Sequence, residues 1–260
     1  VKLALYQGPS PAGDLEAAFA RIEMLLSSAA RAGAGMLLLP ELFLPGYNQP
    51  TLLPNWLQPL DGPCMARMVG LARAAGCGVR FGWAERHGGA LYNAASAIVP
   101  DGALLAHYRK IQLFGAMEHA ASQPGTTAPP VFDLHGRRIG LLICYDIEFP
   151  QHAAGLARRG ADLLLVPTAN PAGFAHVPQA LVPAHAHESR MIVAYANRCG
   201  AEGGLSYGGG SVIAGPDGLP LAMAGRSETL IICDLPAFGD WPGSALSARD
   251  RSVIRSAERR

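Results

Sequence analysis

The sequence predicts an α/β protein built from two sheets covered by helices, and three observations carry that prediction. Short apolar runs with strand character alternate with helical apolar rhythms through most of the 260 residues. Some runs come in pairs joined by a tight turn, as at Pro100-Asp101-Gly102, which a single sheet wound by helices does not explain. Hydrophobic residues make up 50% of the chain and charged residues only 16%, so much of it is expected to be buried, in a core or at a subunit interface.

Taken in order, residues 2–7 read as a strand and residues 14–32 as a helix. Leu15, Ala18, Phe19, Ile22, Leu25 and Leu26 form the apolar stripe of that helix, Asp14 is its N-cap and Gly33 its stop. Residues 35–40 form a buried strand, followed by a proline-rich loop to about Asp61 and a helix over 63–75. Three strands follow over 78–85, 91–99 and 103–108. A long loop over 109–129 leads to a strand over 139–143, a helix from 148 to 159, a strand over 162–167, a helix from 177 to 189 and a strand over 191–197. Strands over 210–214, 219–224 and 228–234 complete the pattern. No linker, repeat or low-complexity tract interrupts it, so one domain is expected over 1–260, with 237–260 a tail contributing to oligomer contacts.

Composition excludes several classes of function. A net charge of +1 gives no support for nucleic acid or an anionic membrane as partner. No apolar run approaches the roughly 20 residues of a membrane span, and the first residues read as a strand rather than a signal peptide. The five cysteines (Cys64, Cys77, Cys144, Cys199 and Cys233) are odd in number, scattered and free of C-x-x-C spacing, so neither a disulfide framework nor a zinc site is indicated. A cytoplasmic protein without metal or other cofactor is expected.

One thiol stands apart. Cys144 ends the apolar run Ile139-Gly-Leu-Leu-Ile143 and precedes Tyr145-Asp-Ile-Glu148, where a helix begins. N–H groups at a helix start favour a thiolate, although a free cysteine is more often a passive buried apolar residue. Three charged residues also follow predicted strands, where a sheet can aim side chains into one pocket. They are Glu41 after Met36-Leu-Leu-Leu-Pro40, Lys110 after His107-Tyr-Arg109, and Glu118 eight residues further on. A carboxylate directly behind a buried apolar run is costly unless it is paired or exposed at the sheet end. Each residue alone also fits a solvated loop charge.

Together with Thr168-Ala-Asn-Pro171 and Gly210-Ser-Val-Ile-Ala-Gly-Pro-Asp-Gly218, these motifs resemble the carbon–nitrogen hydrolase (nitrilase) superfamily over nearly the whole chain. The resemblance implies a four-layer α-β-β-α sandwich that pairs by sheet extension, as a homodimer or an assembly of dimers. It further implies that Cys144 is the nucleophile, Glu41 the general base, and Lys110 an oxyanion donor beside the backbone N–H of Tyr145, with Glu118 accepting from Lys110 or positioning base and substrate. Tyr145, Asn170, Pro171 and Phe174 fall in segments expected to line the pocket.

Cys144-Tyr-Asp146 is similar to the amidase and carbamoylase branches, whereas true nitrilases usually carry Cys-Trp-Glu and run longer. The implied substrate is a small primary amide, hydrolysed to acid and ammonia through a thioester. An N-carbamoyl amino acid amidohydrolase ranks second, calling for pocket arginines for which Arg80 and Arg198 are the candidates; a nitrilase is a further alternative. An acyl transferase is chemically permitted, and a catalytically silent scaffold is the reading from another class. His185, His187 and Glu188 suggest a metal only weakly, because i and i+2 on a helix do not share a face. The matching family segment ordinarily reads Arg-Ala-x-Glu-Asn, so Glu188 agrees and His185 and Ser189 depart. Asp146 and Glu148 are expected to cap or pair, and Gly208-Gly-Gly210 to form a turn rather than a phosphate loop.

Overall fold

A computed structural model of the chain describes residues 1–237, 240 and 241. The N-terminal half runs β1 (Lys2–Gln7), α1 (Leu15–Arg31), β2 (Met36–Leu38), α2 (Pro63–Ala75), β3 (Gly78–His87), β4 (Ala90–Ile98), β5 (Leu104–Arg109) and α3 (Gly115–Ala121). The second half runs β6 (Val131–Leu134), β7 (Arg137–Leu141), α4 (Pro150–Arg158), β8 (Leu163–Pro167), α5 (Val182–Ser189), β9 (Ile192–Ala196), β10 (Ala201–Glu202), β11 (Leu205–Ser206), β12 (Val212–Ala214), β13 (Pro220–Met223) and β14 (Thr229–Asp234).

Two six-stranded sheets result, in the orders β14-β1-β2-β3-β4-β5 and β13-β12-β9-β8-β7-β6, with β10 and β11 a separate small hairpin. Side-chain alternation assigns three apolar layers. On β1, Ala4 and Tyr6 pack with Phe19, Ile22 and Leu26 of α1, whereas Leu3 and Leu5 face the other sheet. Leu163 and Leu165 of β8 meet them between the sheets, while Leu164 and Val166 turn to Leu156 of α4 and Val182 of α5. The order is therefore helix, sheet, sheet, helix, as the resemblance implies.

Local chemistry explains most boundaries. Asp14 accepts from the Ala17 N–H at 2.9 Å and caps α1. Pro63 opens α2, and Gly76 closes it at φ +64°. Three expectations need correction. The loop over 109–129 contains α3, whose seven residues carry too little apolar period to show in sequence. The strand β6 was also missed: three of its four side chains are only half-buried and Asp133 is exposed, so it lacks a buried run. Finally, no continuous helix starts at Glu148. A 3₁₀ turn spans Cys144–Glu148 and α4 begins at Pro150, because proline favours the first helical position and disfavours helix in the residue before it. The expected tail role of 237–260 lies almost wholly outside the described residues.

Candidate active site

The site forms where the carboxyl ends of strands from both sheets meet. Glu41 lies three residues beyond β2, and its backbone N–H donates to the Thr168 carbonyl just after β8 at 3.3 Å. Lys110 directly follows β5, with its N–H bonded to the Asn93 carbonyl of β4 at 2.8 Å. Glu118 is on α3, and Cys144 follows β7. Glu41 and Lys110 are fully buried, and Glu118 is 2% exposed.

Lys110 Nζ joins the two carboxylates. It donates to Glu41 Oε1 at 2.8 Å and to Glu118 Oε1 and Oε2 at 2.8 and 2.9 Å. The Phe114 N–H holds Glu118 Oε2 at 2.9 Å, and the buried Tyr47 phenol, pushed up first by burial, also feels the nearby Glu118 and Glu41 carboxylates. Burial alone depresses the Lys110 ammonium, but the Glu118 and Glu41 carboxylates outweigh it and keep the group well above its ordinary range. Burial raises Glu41, opposed by Lys110 and Asn93.

Cys144 has φ +45°, an uncommon backbone for a residue with a side chain. Asp146 supports that elbow: its fully buried carboxylate accepts from the Ile143 N–H at 3.1 Å, the Gln112 N–H at 2.9 Å and the Tyr108 hydroxyl at 2.9 Å. The pairing role expected for Asp146 is therefore present. A helix start was expected to lower the thiol pKa, and this is overturned. Burial, then the nearby Glu41 carboxylate, push Cys144 well above the usual thiol value, against Lys110 and the Ala169 N–H. A neutral thiol needs a base at the moment of attack.

Backbone crowding fixes the position of Glu41. A Cβ on Gly82 of β3 would stand 2.5 Å from the Leu42 N and 2.7 Å from the Glu41 Cα, so only glycine leaves room for that turn. Leu42 is itself at φ +43°. Arg198, fully buried, spans the two sheets and donates to the Glu41 and Leu42 carbonyls at 2.9 and 2.7 Å. Arg80 is also fully buried and donates to the Leu142 carbonyl at 3.0 Å. Both candidate carboxylate-binding arginines thus hold main chain.

The remaining expected pocket residues separate into two groups. Tyr145 packs against Phe114 and Phe149 at centroid distances of 5.2 and 5.0 Å, and Phe114 reaches Phe174 at 5.7 Å. Asn170 and Pro171 line a cleft of about 190 Å³ with Gly208, Gly209 and Gly210, and none of Glu41, Lys110, Glu118 or Cys144 lines it. Asn170 spends its amide on the Phe174 carbonyl at 3.0 Å. His185 lies 3.7 Å from Glu188, whereas His187 Nδ1 is 3.2 Å from the Pro216 carbonyl oxygen, so the H-x-H-E residues do not converge.

Sequence reasoning passed over Asn93, whose Nδ2 donates to Glu41 Oε1 at 2.7 Å. Its signal was present: one amide in the apolar run Leu91-Tyr-Asn-Ala-Ala95, on a strand with both faces covered. It also passed over Tyr47 and the anchoring role of Arg198, which depend on contacts across 71 and 156–157 positions of sequence and leave no local pattern.

The family model for carbon–nitrogen hydrolases matches residues 2–240. The chain belongs to the carbon–nitrogen hydrolase family. A relative named "Hydrolase in pqqF 5'region" from Pseudomonas protegens is 42% identical over 234 residues, covering 89% of this chain and 81% of the relative. An (R)-stereoselective amidase from a Pseudomonas species is 34% identical over 201 residues, covering 77% of this chain and 72% of that amidase. Among solved structures, the amidase of Nesterenkonia sp. AN1 matches with a TM-score of 0.87 at 37% identity, over 96% of this chain and 99% of that one. That structure shows Michael addition of acrylamide at the active-site cysteine, and another variant of the same amidase is in complex with butyramide. The four-layer carbon–nitrogen hydrolase fold seen here is thus shared with amidase structures.

Proposed function

We propose that this carbon–nitrogen hydrolase is an amidase that converts a small primary amide to carboxylic acid and ammonia through a thioester on Cys144. The observation that carries the reading is one buried ammonium, Lys110, bridging Glu41 and Glu118 beside a thiol held at φ +45°. Glu41 takes the thiol proton as sulfur attacks the amide carbon. The developing oxyanion is met by Lys110 and by the N–H of Tyr145, the second residue of the 3₁₀ turn, which has no carbonyl behind it within that turn. Collapse breaks the C–N bond, and protonated Glu41 returns its proton to the departing nitrogen, giving ammonia. Glu41 then deprotonates water as it attacks the thioester, and the thiol leaves with that proton. Glu118 positions Lys110.

A small substrate is supported by butyramide bound to the Nesterenkonia amidase, and the mutually packed rings of Phe114, Tyr145 and Phe174 are the apolar surface proposed to meet its acyl group. An N-carbamoyl amino acid is disfavoured because Arg80 and Arg198 are fully buried and each already donates through Nη2 to main chain, at the Leu142, Glu41 and Leu42 carbonyls. A panel of aliphatic amides, N-carbamoyl amino acids and nitriles, assayed for ammonia, carbon dioxide and acid, tests the reading. Ammonia and acid from amides, without carbon dioxide from carbamoyl substrates, is the expected result. Turnover confined to carbamoyl acids or nitriles would overturn it.

The proposal extends to a homodimer in a reducing, cytoplasmic compartment. The five cysteines are all free, which suits such a compartment. Leu219 at 64% and Met223 at 46% exposure lie on or beside the edge strand β13, apolar surface that a second copy can cover. Light scattering that shows only a 27 kDa particle contradicts the dimer.

A further inference from the structure

The two oxygens of Glu41 have unequal surroundings. Oε1 accepts from Asn93 Nδ2 at 2.7 Å and from Lys110 Nζ at 2.8 Å. Oε2 is buried and has no protein hydrogen-bond partner among the described residues. Asn93 is 1% exposed on β4, its Nδ2 also lies 3.5 Å from Glu118 Oε1, and its main-chain carbonyl receives the Lys110 N–H. The amide has one workable orientation here. Its oxygen turned toward two carboxylates would repel both, so the NH₂ faces them and Oδ1 is left without a partner.

We infer that Asn93 is a positioning residue that selects the base atom of Glu41: with Oε1 clamped by Asn93 and Lys110, Oε2 is the oxygen that exchanges protons with Cys144, ammonia and water. This rests on the amidase reading for the identity of the proton partners. A carboxylate free to rotate would present either oxygen, and one already satisfied twice is the poorer proton acceptor. Asn93 also stabilises the charged carboxylate, since a donor to Oε1 favours the ionised form. The other ionisable groups around Glu41 are Lys110, Glu118 and Cys144, with Arg198 and the Tyr47, Tyr195 and Tyr207 phenols further off. None of them replaces the Asn93 bond when that side chain is shortened.

The test compares the parent with Asn93→Leu, which keeps the size and removes the donor. Expected are a kcat on a primary amide lower by about 10- to 100-fold and a KM within about threefold. The acid limb of kcat/KM moves to higher pH by about one unit. The pH dependence of Cys144 alkylation by iodoacetamide, which needs no substrate, shifts the same way. In a Glu41→Gln background, adding Asn93→Leu changes the alkylation rate less than twofold. An unmoved acid limb with a reduced kcat would mean a merely structural role and overturn the inference, as would parental kinetics or an undiminished effect beside Glu41→Gln. If Asn93→Leu is not recovered folded, Asn93→Ser, which is too short to reach Oε1, takes its place under the same criteria. A parent that hydrolyses no amide overturns the proposed function instead, and the alkylation profiles still decide the role of Asn93.

Discussion

Gly82→Ala places one methyl group between β3 and the turn that carries Glu41. The new Cβ would lie 2.5 Å from the Leu42 nitrogen and 2.7 Å from the Glu41 Cα, both backbone atoms that cannot rotate away. To restore ordinary contact near 3.4 Å the turn must retreat by about 0.9 Å. Arg198 and the Thr168 carbonyl hold that turn from the opposite sheet, so the shift also strains their bonds. Overpacking of this kind costs about 1–3 kcal/mol, and for a chain of this size the melting temperature falls by roughly 2–4 °C per kcal/mol. A base displaced by nearly 1 Å can lose about 100-fold in rate. Steady-state kinetics and a thermal melt on the same preparation are the assay. The expected variant is folded, melts about 2–12 °C lower and loses far more kcat than stability. Wild-type kcat in a folded Gly82→Ala protein would refute the claim that this contact sets the position of Glu41.

Two further perturbations probe the supports of the site. Asp146→Ala strands the Ile143 and Gln112 N–H groups and the Tyr108 hydroxyl in the interior, at about 1–3 kcal/mol for each unsatisfied donor. A melting point lowered by roughly 10 °C is expected, with faster loss of Cys144 reactivity on warming, and a shift below about 3 °C argues against this brace. Glu85, under Arg109 at 2.6 Å and His107 at 3.0 Å, is raised by burial but held down to about 2 by those hydrogen bonds and charges. Its folded value lies below its unfolded one, so its contribution is complete above pH 4.5 and disappears as pH falls toward 2. With Arg109 about a quarter exposed, screening reduces that contribution to roughly 2 kcal/mol. Urea unfolding of Glu85→Gln should show a deficit at pH 7 that closes between pH 4 and pH 2, and a deficit independent of pH contradicts the linkage.

The elements that sequence revealed are those whose burial is periodic. Leu15, Phe19, Ile22 and Leu26 mark α1, the continuous run Leu163–Pro167 marks β8, and both are where the period places them. Helix α3 escaped because its seven residues include only one buried side chain, and that one is Glu118, a residue held by a lysine rather than by apolar packing. Glu41, Lys110 and Cys144 stood out as costly or reactive groups that follow predicted strands, but each alone also fitted a bland role, and it was the resemblance across several motifs that joined them. Their partners did not stand out: Asn93, Tyr47 and Arg198 meet Glu41 or Glu118 through tertiary contacts without sequence spacing. The thiol expectation failed for the same reason. A helix start is local and visible, whereas burial and the charge of Glu41 come from the assembled fold and decide the sign.

The central claim is that Cys144 carries the acyl group. Rapid acid quench during turnover of a slow primary amide, followed by peptide mass analysis, tests it directly. The account predicts that the peptide containing Cys144 gains the mass of the amide less ammonia, and that Cys144→Ala, still folded, shows neither adduct nor turnover. An adduct on Cys64, Cys77, Cys199 or Cys233, or hydrolysis undiminished in Cys144→Ala, would contradict it.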